Sequence, residues 1–246
     1  MPFQKGSFIL IDYVARIKDT GEVFDTTIEA EAKMFNIYSS DAIYEPMLVV
    51  LGEGWVVSGL EEKLYEMNVG EKREIEVPPE KGFGIRDPSK VRLVPLRTFK
   101  NEPNLRPGAR VRFRDTLATV RSISSGRVQL DFNHPLAGKT LKYEVEVKDE
   151  IKEPIDKIKA LLHRRLPTIP IENFSLSLAS NVLTINMPAE SFMVDGIQLI
   201  KRGLANDIMK FIPEISKIVF TEEYVRRIEA KTESKEVEEV KEPSSG

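Results

Sequence analysis

The 246-residue sequence contains no cysteine, and this absence excludes several kinds of site. Disulfide bonds, thiolate catalysis, cysteine-ligated zinc and iron–sulfur clusters all need that residue type. The sequence has only two histidines, His134 and His163, and neither has a partner at the spacing of metal ligands. We therefore expect no metal site and no cofactor.

An excess of one charge and long apolar runs are missing as well. The 36 Lys and Arg residues nearly balance the 39 Asp and Glu residues, so the formal net charge is -3. A strong basic excess is the usual mark of a nucleic-acid-binding protein, so we expect no nucleic-acid partner. No apolar stretch approaches the roughly 20 residues that span a bilayer, and Met1 to Leu10 lacks the pattern of a signal peptide. We expect a cytoplasmic protein without a membrane partner.

The composition is that of a folded globular protein, because 41% of the residues are hydrophobic and 30% are charged. The length predicts one large domain or two to three small ones. The sequence has neither a glycine-rich phosphate-binding loop nor a serine in a nucleophile-elbow pattern. These exclusions favour an apolar binding site that works without acid–base machinery.

The clearest predicted helix extends from Ser58 to Gly70. Ser58 and Glu61 have the spacing of a capping box, and Gly70 is suited to end the helix in a left-handed conformation. Alternation of apolar and polar residues predicts strands on both sides of this helix. The predicted strands are Phe8 to Ile17, Val23 to Asp25, Met47 to Leu51, Glu71 to Val77 and Leu141 to Lys148.

Two further regions follow other patterns. Residues 86–132 contain short alternating segments without a helix, which predicts a small all-β unit with a thin core. After Pro154 the pattern predicts the element order α-β-β-α-β, with Asp195 capping the second helix. The whole chain is therefore expected to be an α+β protein.

A set of motifs in fixed order resembles the FKBP-type peptidyl-prolyl cis-trans isomerases. The run Asp131 to Leu141 resembles the closing signature of their SlyD-like subgroup, and the full chain resembles the long archaeal-type members. The motifs that carry the family resemblance are Ile11-Asp12-Tyr13, Gly21 to Thr26, Leu51-Gly52-Glu53-Gly54, Val57 to Glu61, Met67 to Lys72 and Val77 to Gly84.

The resemblance implies an isomerase, or rotamase, whose domain is split in the sequence. An FKBP-like antiparallel sheet with one packed helix would take residues 1–85 and 133–152. Residues 86–132 would form the inserted all-β domain called insert-in-flap, which acts as a chaperone in this subgroup. Residues 153–228 would form a C-terminal α-β-β-α-β domain, and 229–246 a charged tail.

The resemblance also implies which residues line the catalytic pocket. Phe24 would be an aromatic wall, Asp25 a hydrogen-bond partner near the substrate carbonyl, and Phe83 the mouth. Met47, Leu60 and Phe83 depart from the commonest residues of the family, which puts the affinity for macrolide inhibitors in doubt. The complete predicted set is Tyr13, Phe24, Asp25, Met47, Val56, Val57, Leu60, Phe83 and Tyr143.

The implied partners are unfolded or partly folded polypeptides that contain proline. A small inserted domain cannot bury all of its apolar residues, so we expect an exposed patch of Leu93, Val94, Leu96 and Phe99 that binds unfolded chain. A homodimer through the C-terminal domain is also expected. The alternative function is a holdase chaperone with a weak or absent isomerase activity.

Overall fold

The computed structural model describes residues 3–99, 102 and 104–225, and its strands form three separate sheets. The sheets are mainly antiparallel and the helices few, which confirms the predicted α+β class. Within the described ranges, no helix is both long and apolar enough to cross a bilayer. The predicted tail at 229–246 lies outside the described residues.

The first sheet is built around the ten-residue strand β1, which pairs along its whole length with β9. The opposite edge of β1 is shared, because β3 pairs with its first half and β2 with its second half. The strand order is β2-β1-β9-β4, and all pairings are antiparallel. The elements are β1 (Phe8–Ile17), β2 (Val23–Thr26), α1 (Glu29–Met34), β3 (Met47–Val50), α2 (Ser58–Leu64), β4 (Lys72–Val77) and β9 (Leu141–Ile151).

Helix α2 is shorter than predicted, and the expected capping box is wrong. The hydroxyl of Ser58 donates to the carbonyl of Lys81, and the Glu61 carboxylate accepts from the amides of Gly52 and Gly54. These two side chains therefore tie the helix to neighbouring turns instead of satisfying its own first amides. Gly70 lies beyond the helix, where its positive φ fits a turn and its amide donates to Val147.

The inserted sheet has the strand order β5-β8-β7-β6 and a small core of its own. The buried carboxylate of Asp131 joins this sheet to the chain on both sides of it. One oxygen accepts from Arg86 and Arg121, and the other accepts from the backbone and side-chain amides of Asn133. The strands are β5 (Val91–Pro95), β6 (Arg110–Phe113), β7 (Thr116–Ser124) and β8 (Arg127–Asp131).

The C-terminal part has the predicted order α-β-β-α-β. Its sheet has the order β10-β11-β12, with β11 antiparallel to β10 and parallel to β12. The helix expected to be capped by Asp195 begins after Gly196 instead, so that capping prediction is wrong. The elements are α3 (Pro154–Arg165), β10 (Ser175–Ala179), β11 (Val182–Met187), α4 (Ile197–Phe211) and β12 (Lys217–Glu222).

The helices α3 and α4 pack against one end of the second face of the first sheet. Phe8, Leu48 and Val50 are buried in one hydrophobic cluster with residues of both helices. The ring of Phe8 meets the ring of Phe211 edge-on at 5.4 Å, and the Arg164 guanidinium lies 3.8 Å from the centroid of the Trp55 ring. Apolar surface of the C-terminal domain is therefore buried within the chain, and the homodimer stays a prediction.

Candidate functional site

The site is built on the end of β1 that pairs with β2. Tyr13 points into the core of the first sheet, and its hydroxyl donates to Oδ2 of Asp25 at 2.7 Å. Thr26 donates through its own hydroxyl to the backbone carbonyl of Tyr13, and Thr27 accepts from the Tyr13 amide. These bonds fix β2 against β1, so Phe24 and Asp25 have defined positions beside Tyr13.

Four aromatic side chains gather in this region. The ring of Phe24 lies 6.4 Å from the rings of both Phe83 and Tyr143 and meets each nearly edge-on. Tyr143, on β9, also lies 5.9 Å from Tyr13. These separations and the edge-on geometry are those of favourable aromatic contacts. Strands β1, β2 and β9 therefore each contribute one ring to an aromatic cluster, and Phe83 approaches it from the segment after β4.

The site holds its phenol groups in the neutral form. Burial, together with the neighbouring Asp25 carboxylate, raises the pKa of Tyr13 well above its ordinary range. Burial and the same carboxylate raise the pKa of Tyr143 to about 12. The Tyr13 hydroxyl therefore stays protonated and donates to Asp25, whose exposed carboxylate lies on the cavity wall.

The turn before α2 and α2 itself pack against the aromatic cluster from another side. Glu61 holds the turn at Gly52 and Gly54 through two backbone amides, which fixes the path of the chain into Val56 and Val57. Leu60 is buried beneath them. The helix packs tightly on β4, because a Cβ atom on Gly59 would lie 2.8 Å from Val77. Val56 and Val57 are half-buried and pack on the same hydrophobic cluster as the aromatic residues.

The structure thus brings the nine predicted pocket residues to one region, but only four of them line the cavity in it. Tyr13, Phe24, Asp25 and Met47 line a cavity of about 840 Å³. The other five pack in or against the core beneath that wall, and their role in binding substrate stays a prediction. These five residues are Val56, Val57, Leu60, Phe83 and Tyr143.

Sequence reasoning missed two kinds of neighbour. His134 stacks on Phe83 at 4.3 Å with the rings almost parallel, and Leu136 packs against the core cluster. Both residues lie in the run Asp131 to Leu141, which resembles the closing signature of the SlyD-like subgroup, so the sequence contains a motif that could have indicated them. The far wall of the cavity comes from α3, including Ala160 and His163, and from the segment after β2. No local pattern could indicate that wall, because it depends on how the C-terminal domain packs.

The apolar patch expected on the inserted domain is partly wrong. Leu93 and Leu96 are exposed, as expected for a binding surface. Val94 and Phe99, in contrast, are buried in the core of the inserted sheet. The reason is alternation along β5, since Val94 points to the face opposite Leu93, and Phe99 closes the core from the turn that follows.

Comparison with known proteins identifies the family of the chain. A family model described as FKBP-type peptidyl-prolyl cis-trans isomerase matches residues 2–148, and one described as FKBP26_C-terminal matches residues 154–225. The chain is 36% identical over 149 residues to the short-type peptidyl-prolyl cis-trans isomerase of Methanocaldococcus jannaschii, covering 59% of this chain and 92% of that protein.

Two more distant proteins extend the comparison. The FKBP-type peptidyl-prolyl cis-trans isomerase SlyD of Helicobacter pylori is 28% identical over 142 residues, covering 56% of this chain and 69% of that protein. A solved structure of the three FKBP domains of wheat FKBP73 aligns with 18% identity and a TM-score of 0.34, covering 62% of this chain and 42% of that chain. The chain belongs to the FKBP-type peptidyl-prolyl cis-trans isomerases, has SlyD-named relatives, and carries an additional C-terminal domain.

Proposed function

We propose that the chain accelerates rotation about X–Pro bonds in folding polypeptides by binding the twisted amide at the aromatic cluster. The observation that carries this proposal is the gathering of Tyr13, Phe24, Phe83 and Tyr143 into one aromatic cluster, with the Asp25 carboxylate bonded to the Tyr13 hydroxyl. We further propose that the inserted domain holds unfolded chain beside that surface, which makes the protein a chaperone as well as an isomerase.

The physical basis is the resonance of the amide bond. Rotation about an X–Pro bond crosses a barrier of about 18–20 kcal/mol and takes tens to hundreds of seconds without catalysis. The twisted amide has lost its resonance, so its carbonyl oxygen carries less negative charge than the planar form. An apolar surface therefore disfavours the planar form more than the twisted form, and this difference in binding lowers the barrier.

Asp25 is suited to orient the substrate rather than to exchange protons with it. The Tyr13 hydroxyl occupies Oδ2, so Oδ1 remains available to accept an amide N–H of the substrate next to the prolyl carbonyl. The exposed position of Asp25 keeps this oxygen within reach of a peptide. The reaction breaks no covalent bond, so this arrangement needs no general acid or base.

Replacing Tyr13 with phenylalanine should lower kcat/KM for a short X–Pro peptide by about 3- to 10-fold, the amount expected from one hydrogen bond to a carboxylate. The ring contact with Tyr143 would remain, so the variant should fold normally. Circular dichroism checks the fold, and an Asp25→Asn variant should show a loss of similar size. Equal activities of Tyr13→Phe and the original protein would contradict the role given to this bond.

The inserted domain can hold a client polypeptide near the aromatic cluster, because the two chain crossings that join the domain to the first sheet lie next to Phe83. The amide of Asp87 donates to the Asn133 side chain, so the two chain crossings touch, and His134 directly after them stacks on Phe83. The exposed leucines Leu93 and Leu96 offer apolar contacts to an unfolded chain. Tethering such a surface beside the pocket raises the local concentration of substrate.

Replacing residues 86–132 with a short flexible loop tests this division of roles. Because the two crossings are adjacent, a short loop can join them without distorting the first sheet. We expect activity on a short peptide to change by less than about threefold, whereas acceleration of proline-limited protein refolding should fall by at least about tenfold. Equal losses in both assays would contradict a separate client-binding surface.

A further inference from the structure

The inserted domain has a charge opposite to that of the rest of the chain. Residues 86–132 contain eleven Lys and Arg residues but only four Asp and Glu residues, which gives a formal charge of +7. The whole chain has a net charge of -3, so the remaining residues carry -10. The near-neutral total therefore hides a strongly basic domain inside an acidic protein.

Among the described residues, most of these positive charges form no ion pair with an acidic side chain. Of the nine arginines, only Arg86 and Arg121 form ion pairs with an acidic side chain among the described residues, and both use Asp131. The remaining seven are exposed, so their charge is available to a binding partner. These seven are Arg92, Arg97, Arg106, Arg110, Arg112, Arg114 and Arg127.

The strand alternation collects part of this charge on one side of the inserted sheet. Val111 and Val128 point into its core, so Arg110, Arg112 and Arg127 point to the opposite side. Two exposed leucines share that side: Leu93 on β5 and Leu117 on β7, the latter paired directly with Arg112. We call this surface the basic face, and it consists of Leu93, Arg110, Arg112, Leu117 and Arg127.

The four acidic residues of the domain do not cancel the basic face. Asp131 is buried and already bound, and Asp87 accepts from Ser89 at the start of the domain. Asp115 lies in the turn between β6 and β7, and Glu102 lies in the segment before β6. The strands of the face therefore present arginine and leucine side by side.

The domain that carries the basic face joins the chain next to the aromatic cluster, because its two crossings meet at Asp87 and Asn133, directly before His134. His134, whose ring stacks on Phe83, has a pKa lowered by burial and by the positive charge of Arg110. The charge of Arg110 on the basic face therefore acts on the residue that stacks on the aromatic cluster. A polypeptide that lies along the basic face would have its next residues at the pocket.

We infer that the basic face recognises acidic segments with interspersed apolar residues in unfolded client polypeptides, and delivers the neighbouring proline to the pocket. This inference rests on the proposed isomerase and chaperone function and names the class of substrate. A polypeptide fits better than a nucleic acid, because the aromatic residues Phe99, Phe113 and Phe132 pack on the core of the inserted domain and leave the leucines exposed. Base stacking needs exposed aromatic rings.

The test compares binding of unfolded peptides to the full chain. The probes are a fluorescent peptide rich in Glu and Leu, the same peptide with Gln for Glu, and a single-stranded RNA of equal length. The variant is Arg112→Gln with Arg127→Gln, and Arg110 is kept because it influences His134. The control is Arg202→Gln with Lys217→Gln, which removes two exposed charges without acidic partners from the described C-terminal residues.

At low salt we expect the Glu peptide to bind at least about fivefold more tightly than the Gln peptide. The Arg112/Arg127 variant should lose about fivefold in affinity for the Glu peptide, and the control less than twofold. Equal binding of both peptides, equal effects of both variants, or tighter binding of RNA would overturn the inference. Activity on a short X–Pro peptide tests the proposed function separately. If the original protein lacks this activity, the proposed isomerase function is wrong even when acidic peptides bind.

Discussion

Replacing Phe24 with aspartate should lower the isomerisation rate of a short X–Pro peptide at least about 100-fold. Phe24 contacts both Phe83 and Tyr143, so it is the centre of the aromatic cluster. A carboxylate there would bring water into the apolar surface and would place a second negative charge next to Asp25. Loss of about 3 kcal/mol of differential binding between twisted and planar amide corresponds to this effect.

The expected loss must be separated from unfolding. Phe35→Asp is the matched control, because Phe35 is also half-buried and lies just after α1, outside the cavity. Both variants should keep their circular dichroism spectra, and Phe24→Leu should retain most of the activity because the surface stays apolar. An unchanged rate of peptide isomerisation in Phe24→Asp would show that the pocket assignment is wrong.

The grouping of the nine residues could be expected because their motifs, taken in order, resemble one family. Tyr13 belongs to an alternating strand, Phe24 and Asp25 follow a glycine turn, and Leu60 follows the turn at Gly54. Tyr13, Phe24 and Asp25 meet through the pairing of neighbouring strands in one sheet. Leu60 joins them from α2, which packs on the same core. Local pattern and fold therefore point to the same arrangement.

The same strand shows where local patterns fail. In the sequence, Phe8 and Leu10 share one face of β1 with the polar residue Asp12. A strand with one wet face should carry polar residues throughout that face. The structure explains them, because Phe8 is buried and Leu10 half-buried against the C-terminal domain. The partner of that second face begins more than 140 residues later in the sequence, so no local period could reveal it.

Hydrogen bonds from a side chain to a distant turn also cannot be predicted from the local sequence pattern. Ser58 and Glu61 have the right spacing for a capping box, yet each bonds to a backbone group outside the helix. The prediction of an exposed patch on the inserted domain failed for a similar reason. Val94 and Phe99 are apolar like Leu93, but they are buried in the core of the domain whereas Leu93 is exposed. Hydrophobicity alone does not tell the core of a thin sheet from its exposed face.

The second large effect is expected from Asp131→Asn, which should destabilise the inserted domain by about 2 kcal/mol. The Asp131 carboxylate is buried and accepts from Arg86, Arg121 and Asn133, so an amide nitrogen in its place would face donors that it cannot satisfy. The arginines are about half exposed, which limits the loss. Asp115→Asn, an exposed carboxylate in the same domain, is the matched control and should have almost no effect.

Amide hydrogen exchange can locate the loss in the structure. Opening of the inserted sheet should become about 30-fold more frequent in Asp131→Asn, seen at amides of β7 and β8, whereas β1 and β9 should exchange as before. Trp55 packs against Phe211 at the C-terminal interface, so its fluorescence should not change. Uniform acceleration in all three sheets would contradict a role confined to the inserted domain.

The pH dependence provides an independent check on the charge of Asp131. Burial alone would raise its pKa, but the hydrogen bonds from Asn133, Arg121 and Arg86 prevail and hold the pKa well below its usual range. The folded form therefore binds fewer protons than the unfolded form between the depressed pKa and about 3.9, and stability rises with pH across that window. The difference between the original protein and Asp131→Asn should be constant above about pH 5 and should shrink as the pH falls below about 4. A difference that stays constant down to pH 2 would show that Asp131 stabilises the domain by shape rather than by its charge.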